Sequence, residues 1–163
     1  MTIGRSKQLI KQAGEHLVAA ELAKRGFLAT PFAGNVPEFD VIAVDQNHRA
    51  IPIQVKTICS SSWQLDAKKF LNISFVGKKQ NVTGISAALG NELIYVFVKI
   101  NYEESDAFFV IRATDLARKI KDNYSNFLER NNYIRPRNHK STHTAIRKID
   151  LIDFQDNWSL FIG

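Results

Sequence analysis

Apolar residues fall along this chain in two rhythms, one near 3.6 residues and one of two. From Ser6 to Arg25 the residues are mainly Ala, Leu, Lys, Gln and Glu, all good helix formers, and Gly26 offers a terminator, so this stretch predicts one helix. Phe39 to Asp45 and Ala50 to Ile58 alternate β-branched with other residues on either side of the polar segment Gln46-Asn47-His48-Arg49, which predicts a β-hairpin. A second hairpin is expected from Leu93 to Ile100 and Ala107 to Arg112, turning at Asn101 to Asp106; its first strand is apolar almost throughout, as a central strand is. Thr114 to Arg130 predicts an amphipathic helix capped by Thr114, with Leu116, Ile120, Tyr124 and Phe127 along its apolar side. Between the hairpins, Ser60 to Gly90 scatters Trp63, Phe70 and Phe75 among Ser, Asn and Lys, consistent with an edge strand and loops. The last run, Asp150 to Phe161, predicts a short helix that closes the core with Trp158 as packing mass. No repeat, low-complexity tract or linker interrupts the chain, so one α/β domain over residues 1–163 is expected, a mixed sheet flanked by helices.

Four polar residues sit where this pattern calls for apolar ones. Glu15 shares a helical stripe with Val18, Ala19 and Leu22, which places its carboxylate on the side that packs inward. A buried, unpaired carboxylate is costly and needs a partner or a metal; the plainer alternative is that Glu15 lies at the edge of the stripe and reaches solvent. On the first hairpin, period two puts Asp40 on one face with Ile42 and Val44, and Gln54 and Lys56 on one face with Ile58, while Ile51, Ile53 and Val55 form the opposite, core-packing row. An antiparallel return across the short turn brings Asp40 near the Gln54/Lys56 end. A simple cross-strand ion pair between Asp40 and Lys56 is the structural alternative, but it explains neither Gln54 nor Glu15.

The ordered set of a helix Glu, then Pro37-Glu38-Phe39-Asp40, then Gln54-Val55-Lys56 resembles the active-site signature of the PD-(D/E)XK nuclease superfamily. The early helix Glu, the QxK form and the short chain are most similar to the group I intron homing endonucleases of that superfamily. The resemblance covers roughly Gly14 to Thr57. It implies a restriction-endonuclease-like domain with an α-β-β-β-α-β core and a metal-dependent cut of a DNA phosphodiester bond. Phe39 separates Asp40 from Pro37 and Glu38, so either acid is a candidate for the metal; Asp40 is preferred because it shares the strand alternation, with Glu38 in the turn before it. Gln54 stands where most members carry Asp or Glu, and it offers a hard oxygen without charge.

Phosphodiester hydrolysis needs a metal to polarise the phosphoryl oxygen and to make a nucleophile from water next to repelling phosphates. The resemblance assigns Asp40, the Gln54 side-chain oxygen and Glu15 as oxygen ligands suited to Mg²⁺, with Mn²⁺ as a substitute. It assigns Lys56 to orient or deprotonate the attacking water and to offset charge building on the phosphorus.

Charge adds a partner. The chain has 163 residues and a formal net charge of +6. Between Arg112 and Lys148 it carries ten Lys or Arg against three acids, while the rest is close to neutral. The exposed charges of the Thr114–Arg130 helix read as a solvated face. Tyr133 to Lys148 differs: Arg135, Arg137, His139, Lys140, Arg147 and Lys148 are interleaved with Pro136, Asn138, Ser141 and Thr142, a loop or strand margin suited to phosphate contacts on double-stranded DNA. Lys68, Lys69, Lys78 and Lys79 permit further contacts.

Other classes drop out. His139 and His143 lack convincing zinc-ligand spacing, and Cys59, the only cysteine, excludes an intramolecular disulfide and has no triad partners. No apolar run is long enough to span a bilayer and the N-terminal stretch lacks a signal-peptide core, so a cytoplasmic protein is expected. Cutting two strands with one site per chain leads to the expectation of a homo-oligomer, dimer or tetramer. Three functions stay open: a Mg²⁺-dependent endonuclease, a catalytically inactive DNA-binding or assembly module of the same fold, and an interaction protein with a basic segment and no nucleic-acid role.

Overall fold

The computed structural model describes residues 3–33 and 38–162, with side chains from residue 6 onward; Pro37 of the motif lies outside the described residues. Helix α1 (Ile3–Lys24) ends where Gly26 adopts φ +88°, a left-handed conformation that costs glycine little. Strands β1 (Leu28–Pro31), β2 (Val41–Val44) and β3 (Ala50–Ile58) follow as an antiparallel meander. β2 is shorter than the expected Phe39–Asp45. Glu38 has φ +83°, which breaks the strand behind Asp40, and the Asp45 carboxylate turns the chain by accepting from the Asn47 and Arg49 amides at 2.9 and 2.8 Å.

From β3 the chain crosses to β7 (Ile94–Lys99), which pairs parallel with it, and returns along β8 (Ala107–Arg112). The sheet order is β1-β2-β3-β7-β8, a central mixed sheet with helices on its faces. One step differs from the expected α-β-β-β-α-β order. The crossover carries no α-helix: it runs through β4 (Ser62–Asp66), a 3-10 turn at Ala67–Lys69 and a hairpin of β5 (Leu71–Val76) and β6 (Lys79–Ile85). The second long helix, α2 (Ala113–Arg130), comes after β8. The single edge strand expected in 60–90 is therefore three strands in two small sheets.

β7 and β8 are buried on both faces, as near-continuous apolar runs require. Val96, Val98, Phe108 and Val110 pack with α1 through Val18 and Leu22; Tyr95, Phe97, Phe109 and Ile111 pack with α2 through Leu116, Ile120 and Tyr124. Two expectations are corrected. Thr114 does not cap α2: β8 runs directly into the helix, and the Ala113 amide donates to the Leu93 carbonyl at 3.0 Å, so the helix starts at Ala113 and its cap position is an extended Arg112, two residues before Thr114. Asp150–Phe161 is not one helix but α3 (Lys148–Leu151) and 3-10 turns at Ile152–Phe154 and Trp158–Phe161. The outer edge of β8 pulls this segment out of helical form, with Gln155 bridging Phe109 and the Asp156 amide donating to Phe108 at 2.9 Å. Trp158 does pack, against Phe108 and Phe161.

The basic segment is mostly loop until β9 (His143–Arg147), which pairs antiparallel with β4. One buried side chain fastens it. Gln80, on β6, donates to the carbonyls of His139 and Ser141 at 2.7 and 2.9 Å and accepts from the Tyr124 hydroxyl at 2.7 Å.

Candidate functional site

Three of the four anomalous residues converge. The register sets Val41 against Ile53, and the Asp40 amide donates to the Ile53 carbonyl at 2.8 Å, so Asp40 stands at the end of β2 against Gln54. Asp40 Oδ2 accepts from the Val55 amide at 2.9 Å and from Gln54 Nε2. Both bonds hold the carboxylate in one orientation.

α1 brings the third residue. It crosses β3 closely enough that a Cβ on Gly14 would lie 1.8 Å from Thr57 Oγ1, an approach no larger residue permits without a shift. The next residue, Glu15, is only 8 % exposed, so the solvent-facing alternative does not hold. Between the two acids lies Lys11, its Nζ 3.1 Å from Asp40 Oδ1 and 3.4 Å from Glu15 Oε1. Two mostly buried carboxylates thus face one cationic point.

Burial alone would lower the Lys11 pKa; hydrogen bonding to Asp40, together with the charges of Asp40 and Glu15, raises it above the ordinary lysine value. Lys11 was missed from the sequence, although its place one turn before Glu15 is a legible signal.

The cross-strand pair considered for Lys56 does not form, since Asp40 is engaged by Lys11. Lys56 instead lies with Gln54 along a cleft of about 760 Å³ that is also lined by Glu38, Lys69, Tyr95 and His143. Burial pushes the Lys56 ammonium down from the ordinary lysine value; the charge of Asp40 opposes this, and the ammoniums of Lys69 and Lys11 reinforce it. Tyr95, the register partner of Gln54 on β7, has its hydroxyl pushed up to about 12 by burial and by the charge of Asp40, so it remains a neutral donor. Its place is set by strand pairing far along the chain, which no local motif announces.

Elsewhere the basic residues spread out. Arg135 is half-buried, its guanidinium 5.1 Å from the Phe127 ring centre, and it donates to the His143 carbonyl. Arg137 and Lys140 are exposed on the loop, His139 is partly covered, and Arg147 and Lys148 lie exposed where β9 passes into α3.

The fold is shared with a homing endonuclease. A solved structure titled as that of a bacterial homing endonuclease, I-Ssp6803I, matches 96 % of this chain and 93 % of its own, with a TM-score of 0.54 and 14 % sequence identity. At that identity the likeness is one of architecture. No family profile and no curated protein sequence matches the chain.

The donor set fits a hard divalent cation: Asp40 and Glu15 give two carboxylates that already converge on a positive charge, and Gln54 gives an amide oxygen beside them. Among the described residues no three His, Cys, Asp or Glu side chains are grouped so that they could hold a metal ion by themselves. No helix among them is long and apolar enough to cross a membrane.

Proposed function

We propose that the chain is a metal-dependent DNA endonuclease of the PD-(D/E)XK type. The observation that carries this reading is the convergence of Asp40 and Glu15 on one cationic point beside the Lys56 cleft, on a fold shared with a homing endonuclease.

Asp40, Glu15 and the Gln54 oxygen would hold Mg²⁺ or Mn²⁺. When bound, the ion polarises the phosphoryl oxygen and lowers the pKa of a coordinated water. Asp40 is oriented for this by the Val55 amide. Gln54 presents its oxygen by turning its amide over, since its nitrogen now faces Asp40. Lys11, half-exposed on a flexible stem, withdraws from between the acids. Lys56 positions the attacking water at the cleft; its lowered pKa gives it a larger neutral fraction than an ordinary lysine, so it accepts the water's proton more readily. Tyr95 supplies a neutral hydroxyl to the same cleft. Cleavage of both strands of a duplex calls for two copies of the chain, each cutting one strand.

Plasmid cleavage in Mg²⁺ or Mn²⁺ tests this, with Asp40→Ala and Lys56→Ala beside the wild type. Equal activity in all three proteins removes the reading. A second reading, an inactive DNA-binding or assembly module of this fold, draws on the Lys11 ammonium already balancing the acids and on the uncharged Gln54. Calorimetric titration with Mn²⁺ separates the two: the enzyme takes up metal in an Asp40-dependent way and the module does not.

A further inference from the structure

A second hollow, of about 470 Å³, opens between the last turns of α2 and β9. Its walls hold three arginines from three elements: Arg130 at the end of α2, Arg135 in the loop and Arg147 at the end of β9. Asn123 and Asn126 add amides from the same face of α2. Asp150 is its one carboxylate, and it is engaged by Arg147, accepting from the Arg147 amide at 2.8 Å and lying 3.7 Å from its Nε. Among the described residues no ion pair engages Arg130 or Arg135, and none of them offers an acceptor to the buried Arg135 Nε.

Such a surplus of donors is unusual inside a folded chain, where guanidinium groups near one another repel and normally find carboxylates. Here one of the three is also immobilised: Arg135 lies over Phe127 and Tyr124, at 5.1 and 5.9 Å from their ring centres, and donates to the His143 carbonyl. Arginine forks fixed around a hollow suit a tetrahedral oxyanion, which accepts from several of them at once. The hollow is also not isolated. His143 lines both it and the Gln54/Lys56 cleft, so the two meet across one residue of β9.

We propose that this hollow seats a backbone phosphate of the nucleic acid strand that enters the cleft, with Arg130 and Arg147 as its mobile donors and Arg135 as its fixed wall. The proposal rests on the nuclease reading for the identity of the strand. It also divides the basic segment, because Arg135 and Arg147 belong to a shaped site with Arg130, whereas Arg137, Lys140 and Lys148 do not line it. A strand phosphate and a free nucleotide share this chemistry, and the experiment must tell them apart.

The test is fluorescence anisotropy of a labelled DNA duplex in EDTA, across a salt series, with thermal melting of each variant to confirm folding. Arg118 is the control: it lies on α2, ion-paired with Asp115 and outside the hollow, so Arg118→Gln removes the same charge from the same helix. Arg130→Gln is expected to weaken duplex binding about fivefold or more and to reduce the slope of log affinity against log salt by about one unit, as loss of one phosphate contact does. Arg130→Lys restores part of the affinity. Arg130→Gln and Arg118→Gln shifting affinity and slope alike overturns the proposal. So does saturable binding of a mononucleotide that depends on Arg130 while duplex affinity does not. Because no metal is present, the result is independent of cleavage: a protein that never cuts DNA in Mg²⁺ yet shows the Arg130-specific loss refutes the nuclease reading and leaves the phosphate site standing.

Discussion

Among the described residues, Glu15 and Gln80 are the two polar residues the fold buries most completely, and they are buried in opposite ways. Gln80 spends its whole amide inside the protein, two donated bonds and one accepted, and so ties β6, α2 and the basic loop together. Glu15 meets one charged partner, the half-exposed Lys11, which it shares with Asp40. A neutral, fully bonded group of the first kind specifies a fold. An anion left with a single movable partner of the second kind weakens the fold.

Four measurements sharpen or break this contrast. The largest effect belongs to Asp40→Asn, which preserves an acceptor for the Val55 amide but removes the charge: DNA cleavage is expected to fall about a thousandfold, with the melting temperature unchanged or higher. Wild-type cleavage by that variant would place the chemistry elsewhere. Gln80→Met should give the reverse pattern, a loss of about 2–4 kcal/mol in urea denaturation from the stranded Tyr124 hydroxyl and loop carbonyls, with metal binding intact while the protein is folded. A variant as stable as wild type would strip Gln80 of its role. Glu15→Leu should raise stability by about 1 kcal/mol and weaken Mn²⁺ uptake; if stability drops instead, Glu15 belongs with Gln80 among the structural groups.

The smallest effect concerns pH. Burial holds the folded-state pKa of Lys56 below its unfolded value, so the unfolded chain binds more protons in the window between the two. Stability should rise with pH through that alkaline window, and the rise should be smaller in Lys56→Met, as urea titrations of both proteins at stepped pH would show. Parallel curves would mean that Lys56 is solvated like a surface lysine.

What the sequence reveals follows the range of the interactions. Asp40 meets Gln54 because a short turn and a period of two leave little choice of register, and Glu15 is buried because its stripe is apolar; both are local facts. The arrival of Lys11 at Asp40 depends on where α1 crosses the sheet, which Gly14 and Thr57 decide together and neither announces alone. The stretch 60–90 resists reading because β4 finds its partner in β9, roughly eighty residues further on, so alternation there matches no neighbour. Thr114 is a good cap in isolation, but the Ala113–Leu93 bond starts the helix before it.

The parallel seam between β3 and β7 has a consequence in time. Asp40 and Gln54 lie on a hairpin whose strands are joined by a few residues, so this pair comes together quickly as the chain collapses. Tyr95 arrives only when β7, roughly forty residues beyond its partner, docks against β3, a step that carries the larger loop-closure entropy. During refolding Asp40 and Gln54 would be in place before their wall, and on the nuclease reading cutting activity would return with the last phase rather than the first.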